Sequence, residues 1–178
     1  MWQEIIQFWY QELTQRQWFM KDLSVDQLID QRFRTLNQQA QAGELFAWRH
    51  EPMGRLAEII VLDQFSRNLY RDSGLAFAGD GMALILAQEA IHFGLDKDMD
   101  ASQKQFLYMP FMHSESAAIH VQAEALFASL GNDNTLNFER RHKAIIDRFG
   151  RYPHRNALLG RESTPEEMEF LSQPGSSF

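Results

Sequence analysis

The chain has 178 residues, 44% of them hydrophobic, and a formal charge of −7; that is enough for one domain with a sizeable core and argues against general nucleic-acid binding. Cysteine is absent, which excludes a disulfide frame and a thiolate metal site. The opening MWQEIIQFWYQEL lacks a basic n-region and a cleavage site, and apolar runs such as IIVL and ALILA fall far short of the ~20 residues that a bilayer span needs. The expected location is therefore cytoplasmic, with no membrane partner.

Nearly every segment carries helical periodicity. Trp2, Ile5, Ile6, Trp9 and Leu13 recur at helix spacing. Ser24 with Gln27 reads as a capping box opening a stripe of Val25, Leu28, Ile29, Phe33 and Leu36 that should stop near Gly43. Pro52 suits the first turn of a third helix running to about Arg71, followed by the turn Asp72-Ser73-Gly74. Asp80 is expected to cap a helix ending at Gly94. Asp100 should cap a short helix interrupted by Pro110, with a restart near Ser114 and a core side of Ile119, Ala123, Leu126, Phe127 and Leu130 as far as Gly131. Asp133 or Asn134 begins the next helix, whose Phe138, Ile145 and Phe149 should face inward until Gly150. Thr164-Pro165-Glu166-Glu167 starts a last short helix. No segment alternates as a strand does and no fixed-period repeat is visible. The expectation is a single all-α domain over residues 1–172 with a loose tail over 173–178.

The most informative stretch is EIIVLDQFSRNLYR, residues 58–71. At about 100° per residue, Asp63, Arg67, Tyr70 and Arg71 continue the apolar strip of Leu56, Ile59 and Ile60, while Val61, Leu62, Phe65 and Leu69 make the other sides apolar. A helix greasy all round is buried, and a buried charge must be paired. The spacing allows Asp63, Arg67 and Arg71 to meet on one face, with Gln64 and Asn68 on the flank. Such a set is either an internal bridge that pins helices or an arginine-lined pocket for a carboxylate or phosphate. Further on, Arg140 to Arg161 holds seven Lys/Arg against one acid, so the rest of the chain sums to −13. There Arg141 and His142 fall on the apolar side of their helix, and Pro153 and Gly160 bracket His154, Arg155 and Asn156 in a loop able to aim donors at one point. In MPFMHSE, Ser114 and Glu115 suit a helix start. His113, Glu115, His120 and His154 offer nitrogen and oxygen donors, but none has HxxxH or HExxH spacing, so no metal site is assigned. The chain has no GxSxG elbow, P-loop, GxGxxG or CxxC, which leaves enzymatic activity and any cofactor open.

The blocks LDQFSRNLYR, AFAGDGMAL, FLYMPFMHSE and RFGRYPHRNALLGRESTPEE resemble the signature blocks of the bacterial domain-of-unknown-function family 924, in the family's order and from FWYQEL to STPEEMEFL. The resemblance implies an all-helical, tetratricopeptide-like array and no activity. Ser66 stands where the family commonly has proline, and Ser116 follows Glu115 where an acid is usual. Two functions are carried forward. The first is a pocket for a small anion, in which Arg67, Arg71 and Arg155 hold the ligand and Asp63 orients an arginine. Asn68, Glu115, Arg141, Asn156 and Arg161 line that pocket, and His113 or His154 moves a proton. The alternative is an interaction module whose helical groove takes an acidic peptide.

Overall fold

The computed structural model describes residues 1–177, and among them every regular element is helical. The packing falls into two compact units: unit 1 comprises Met1–Arg71 with Leu75–Pro110, and unit 2 comprises Asp72–Gly74 with the residues from Phe111 onward. Phe178, the last residue of the expected tail, lies outside the described residues. Within that tail, Ser176 is buried and its hydroxyl donates to Leu171 O.

In unit 1, α1 (Trp2–Gln7) runs into a π turn at Phe8–Glu12, and a short α2 (Gln15–Phe19) follows. The sequence reading missed α2, although its Thr14/Gln17 capping box is fully formed. Helix α3 (Leu23–Gln41) starts two residues earlier than the Ser24 cap implies. Its cap is Asp22, whose carboxylate accepts from Ser24 N and Val25 N; a charged acceptor outcompetes a hydroxyl at the positive end of a helix. Phe33 of α3 stacks on Phe65 at 5.2 Å and meets Phe8 edge-on at 5.1 Å. That aromatic triangle is the centre of the unit 1 core.

The helix expected over 52–71 is broken into three. α4 (Pro52–Ile60) passes into a π turn at Val61–Phe65 and then a single helical turn, α5 (Ser66–Leu69). A π turn inserts one residue per turn and leaves carbonyls poorly matched to donors. Buried Asn37 makes up one mismatch from α3, its amide donating to Val61 O at 2.8 Å and to Ser66 Oγ at 2.9 Å. The start of α4 touches the preceding turn, where a Cβ built on Gly54 would sit 2.2 Å from Trp48 O. Backbone cannot yield as a side chain tip can. Gly54→Ala is therefore expected to destabilise the protein by about 1–3 kcal/mol, read as a lower urea midpoint with an unchanged slope.

Helix α6 (Asp80–His92) is capped at Gly79, so Asp80 is not the expected cap but the first helical residue. Its carboxylate is drawn sideways onto Arg67. The 19-residue stretch Gly74–His92 contains an 18-residue window of mean hydropathy 1.2, apolar enough by length and composition alone to cross a membrane. Here Ala83, Leu86, Ala87 and Ala90 of α6 are buried instead in the core of unit 1. Helix α7 (Ala101–Met112) carries Pro110 inside it rather than being interrupted there. Proline costs one backbone bond and crowds the preceding turn, and the helix stops two residues later.

In unit 2, α8 (Ala117–Ser129) is capped at Ser116 rather than Ser114, and it packs against α9 (Asp133–Phe149), capped by Asn132. The inward stripe of α9 is Glu139, His142, Ile145 and Ile146. Phe138 is instead 50% exposed and Arg141 is exposed. Ranking by hydrophobicity chose the wrong neighbour, because Glu139 and His142 both find hydrogen-bond partners inside. α10 (Pro165–Leu171) opens on the expected Thr164/Glu167 capping box, and Phe170 packs on Phe149 at 5.1 Å.

Candidate functional site

Of the charges of residues 63–71, Asp63 is buried, as the apolar faces around it require, whereas the side chains of Arg67 and Arg71 are 21% and 29% exposed. Asp63 is 1% exposed, and its Oδ1 lies 3.1 Å from Arg67 Nη1. Arg67 also donates to both oxygens of Asp80, at 2.8 and 3.0 Å. One guanidinium thus stands between two carboxylates. Arg71 donates to Asp26 on α3 at 2.5 and 2.7 Å, and Asn68 donates to the same carboxylate at 2.7 Å. Both guanidinium groups are neutralised within unit 1, where Arg67 ties α5 to the start of α6 and Asn68 and Arg71 tie α5 and the turn after it to α3. Sequence reading did not pick out their partners Asp26 and Asp80, nor the neighbouring bridge in which Glu58, 0% exposed, accepts from Arg49 at 2.7 and 2.8 Å. Only the fold brings these residues, distant in sequence, together.

Unit 2 assembles its polar cluster around the C-terminal end of α7. The last carbonyls of a helix have no intrahelical donors, and the negative end of its dipole favours cations. Three successive carbonyls there find side-chain donors. Met112 O accepts from Tyr152 Oη at 2.5 Å, His113 O from Arg155 Nη2 at 3.0 Å, and Ser114 O from His120 Nε2 at 2.9 Å. The next residue, Glu115, accepts from Tyr152 N at 2.7 Å and is gripped by Arg161 at 2.7 and 2.9 Å. Burial pushes the Glu115 carboxyl up, but Arg161, the Tyr152 amide and the charge of Arg155 prevail and hold it below its usual range.

Tyr152 is the hub. Arg155 lies 4.8 Å over its ring, and the rings of His154 and His142 are 5.6 and 5.7 Å from it. His142 donates from Nδ1 to Phe138 O at 2.7 Å. Its pKa falls to about 3, first through burial and then through the nearby charges of His113, His120 and His154. Four imidazoles therefore share one neighbourhood within unit 2. His113 and His154 are half-buried, whereas His120 and His142 are buried. The loop between Pro153 and Gly160 is held from below. Asn156 is buried, donates to Ser163 Oγ and accepts from Arg161 Nε; Arg151 makes two bonds to Glu167, at 2.7 and 2.8 Å.

The structure thus gathers His113, Glu115, His154, Arg155, Asn156 and Arg161 in unit 2. Arg141 reaches the surface beside Phe138, 5.6 Å from its ring centre. Asp63, Arg67, Asn68 and Arg71 belong to unit 1. The sequence reading weighed His120 only as a metal ligand and did not find Glu139 or the role of Tyr152. Among the described residues, no group of three or more His, Asp or Glu side chains is placed to hold a metal ion.

Fold and cluster together define an all-α protein built on buried ion pairs and a histidine-rich helix end. A family model described as "Bacterial protein of unknown function (DUF924)" matches residues 5–175, and the chain belongs to that family. A solved structure of a protein of unknown function from Agrobacterium tumefaciens is 37% identical, with a TM-score of 0.91 and 96% of each chain covered. No curated protein is similar enough in sequence to match.

Proposed function

We propose that unit 2 binds a small anion, a carboxylate or phosphate, at the half-buried imidazoles of His113 and His154, with Arg155 beside them. The observation that carries this reading is the gathering of His120, His142, His154 and Arg155 around the Tyr152 ring, with His113 near His142. Imidazole and guanidinium donors suit anionic oxygens, and histidine is the side chain able to exchange a proton near neutrality. His120 and His142 are buried and act as support. Arg67 and Arg71 hold carboxylates of the chain itself and are left out of the ligand set, a change from the arrangement expected from sequence. Within unit 2, Arg161 and Asn156 fix the loop that presents His154.

A thermal-shift panel of inorganic phosphate and small mono- and dicarboxylates tests this. A site-specific anion at a hundred times its Kd adds about 2.7 kcal/mol of apparent stability, which is roughly 5–10 °C in Tm for a chain of this size. His154→Ala should flatten the response, and the wild-type response should be larger at pH 6 than at pH 8. A flat wild-type response across the panel sinks the reading; a shift given instead by an acidic peptide supports the groove-type interaction module.

A further inference from the structure

α8 and α9 share a polar pair whose hydrogens can be counted one by one. His120 and Glu139 are both 0% exposed. His120 Nε2 lies 2.9 Å from Ser114 O, and a carbonyl only accepts, so Nε2 carries a hydrogen. Tyr152 Oη is 3.2 Å from the same nitrogen but has turned its own hydrogen toward Met112 O. On the other side of the ring, Nδ1 lies 2.7 Å from Glu139 Oε1. An imidazole protonated only at Nε2 offers a lone pair at Nδ1, and an ionised carboxylate offers lone pairs alone. Two such pairs facing each other at hydrogen-bond distance in a buried site would repel with little screening. A proton must lie between them. Glu139 Oε2 strengthens the case, since it is buried with no hydrogen-bond partner among the described residues, and a full anionic charge left in that position is costly.

We infer that His120 and Glu139 hold one dissociable proton between Nδ1 and Oε1, and that releasing it at alkaline pH loosens α8 from α9. The proton goes to solvent base; an ionised carboxylate is left facing the Nδ1 lone pair, and the link between the helices becomes a repulsion. Whether the proton sits nearer nitrogen or oxygen is immaterial, because both arrangements contain the same number of protons. The inference does not rest on the anion reading. The charged and titratable groups facing the pair are Glu124 from α8, Lys143 and His142 from α9, and Tyr152 from the segment after α9; His113, from the segment before α8, and His154 act on the neighbouring His142. Arg140 is held by Glu124 at 2.9 Å. Burial raises the Glu139 carboxyl above its ordinary 4.5, with His120 opposing, which agrees with a retained proton.

The sign follows from linkage. In the unfolded chain a carboxyl and an imidazole titrate near ~4 and ~6.5. On this inference the folded pair keeps, above about pH 6.5, the proton that the unfolded chain has given up. The raised group contributes stability that is fully present below its unfolded value and lost as pH rises through its folded value. Within that window the pair lowers the folding equilibrium constant by up to about tenfold per pH unit.

Glu139→Gln tests it, because the amide offers Nδ1 a hydrogen that does not titrate. The variant is expected to fold and to lose up to one tenfold-per-unit step of pH dependence between pH 7 and 9 relative to wild type. Unfolded by urea in weak buffer at pH 8, the wild type should release about one more proton than the variant. Equal slopes and equal proton release overturn the inference. Should the variant fail to fold, NMR of the wild type decides. A slowly exchanging, far-downfield bridging proton beside His120 Nδ1 at pH 7, lost on raising the pH, supports the inference, and its absence at pH 7 overturns it.

Discussion

Arg49→Met is expected to destabilise the protein by about 3–5 kcal/mol, because it strands a carboxylate that has no other route to compensation. Glu58 is fully buried on α4, and its two oxygens accept from Arg49 Nη2 and Nε at 2.7 and 2.8 Å. The guanidinium is 30% exposed and keeps some water, whereas the carboxylate keeps none. Losing the carboxylate should therefore be milder than losing the cation, and Glu58→Gln should cost less than Arg49→Met. The double variant Arg49→Met/Glu58→Met should recover most of the loss, since two apolar groups of similar volume replace a desolvated pair. Arg49→Lys should fall between, because an ammonium cannot reproduce the planar two-point grip. Chemical denaturation of the four variants checks the order, and full stability in Arg49→Met would show that Glu58 is not held as an anion by Arg49.

Acid is expected to weaken unit 2 through His142. Burial brings its pKa from 6.5 down to about 3. The sign is that of a depressed base: the folded state binds fewer protons than the unfolded one, so stability is present above 6.5 and lost as pH falls toward 3. At about 1.4 kcal/mol per unit, the ceiling on that loss is roughly 5 kcal/mol. Glu167 adds a second, lower window. Arg151 foremost, with Thr164 N and Asn156, holds it down to about 2, against burial, so its contribution is lost between 4.5 and about 2. His142→Phe keeps an aromatic ring near Tyr152 and removes the first window. Its stability, followed by near-ultraviolet dichroism, should stay flatter than wild type between pH 6.5 and 4. Parallel curves for the two proteins would locate the acid sensitivity elsewhere.

Much of this was legible in the sequence where local rules are strong. Gly43, Gly94, Gly131 and Gly150 all adopt the positive φ of helix ends, because only glycine does so without steric cost. The Thr164/Glu167 box also forms where spacing placed it. The burial of Asp63 and its pairing with Arg67 followed from apolar residues on every side of one helix. Periodicity failed where a polar residue inside found a partner far away. Phe138 looked inward and is exposed, while Glu139 beside it is buried on His120. The π turn at Val61–Phe65 has no local signature and is met by Asn37 from another helix.

By itself the sequence determined that this chain is helical, that several helices end at glycines and the last starts at the Thr164 box, and that charge is carried into its interior. Which carboxylate meets which arginine, and which carbonyls at the end of α7 recruit Tyr152, Arg155 and His120, was decided only when the chain folded. Capping and periodicity act over three or four residues, so they are written locally. An ion pair's partner can come from any element, and burial chooses it by removing water from the alternatives.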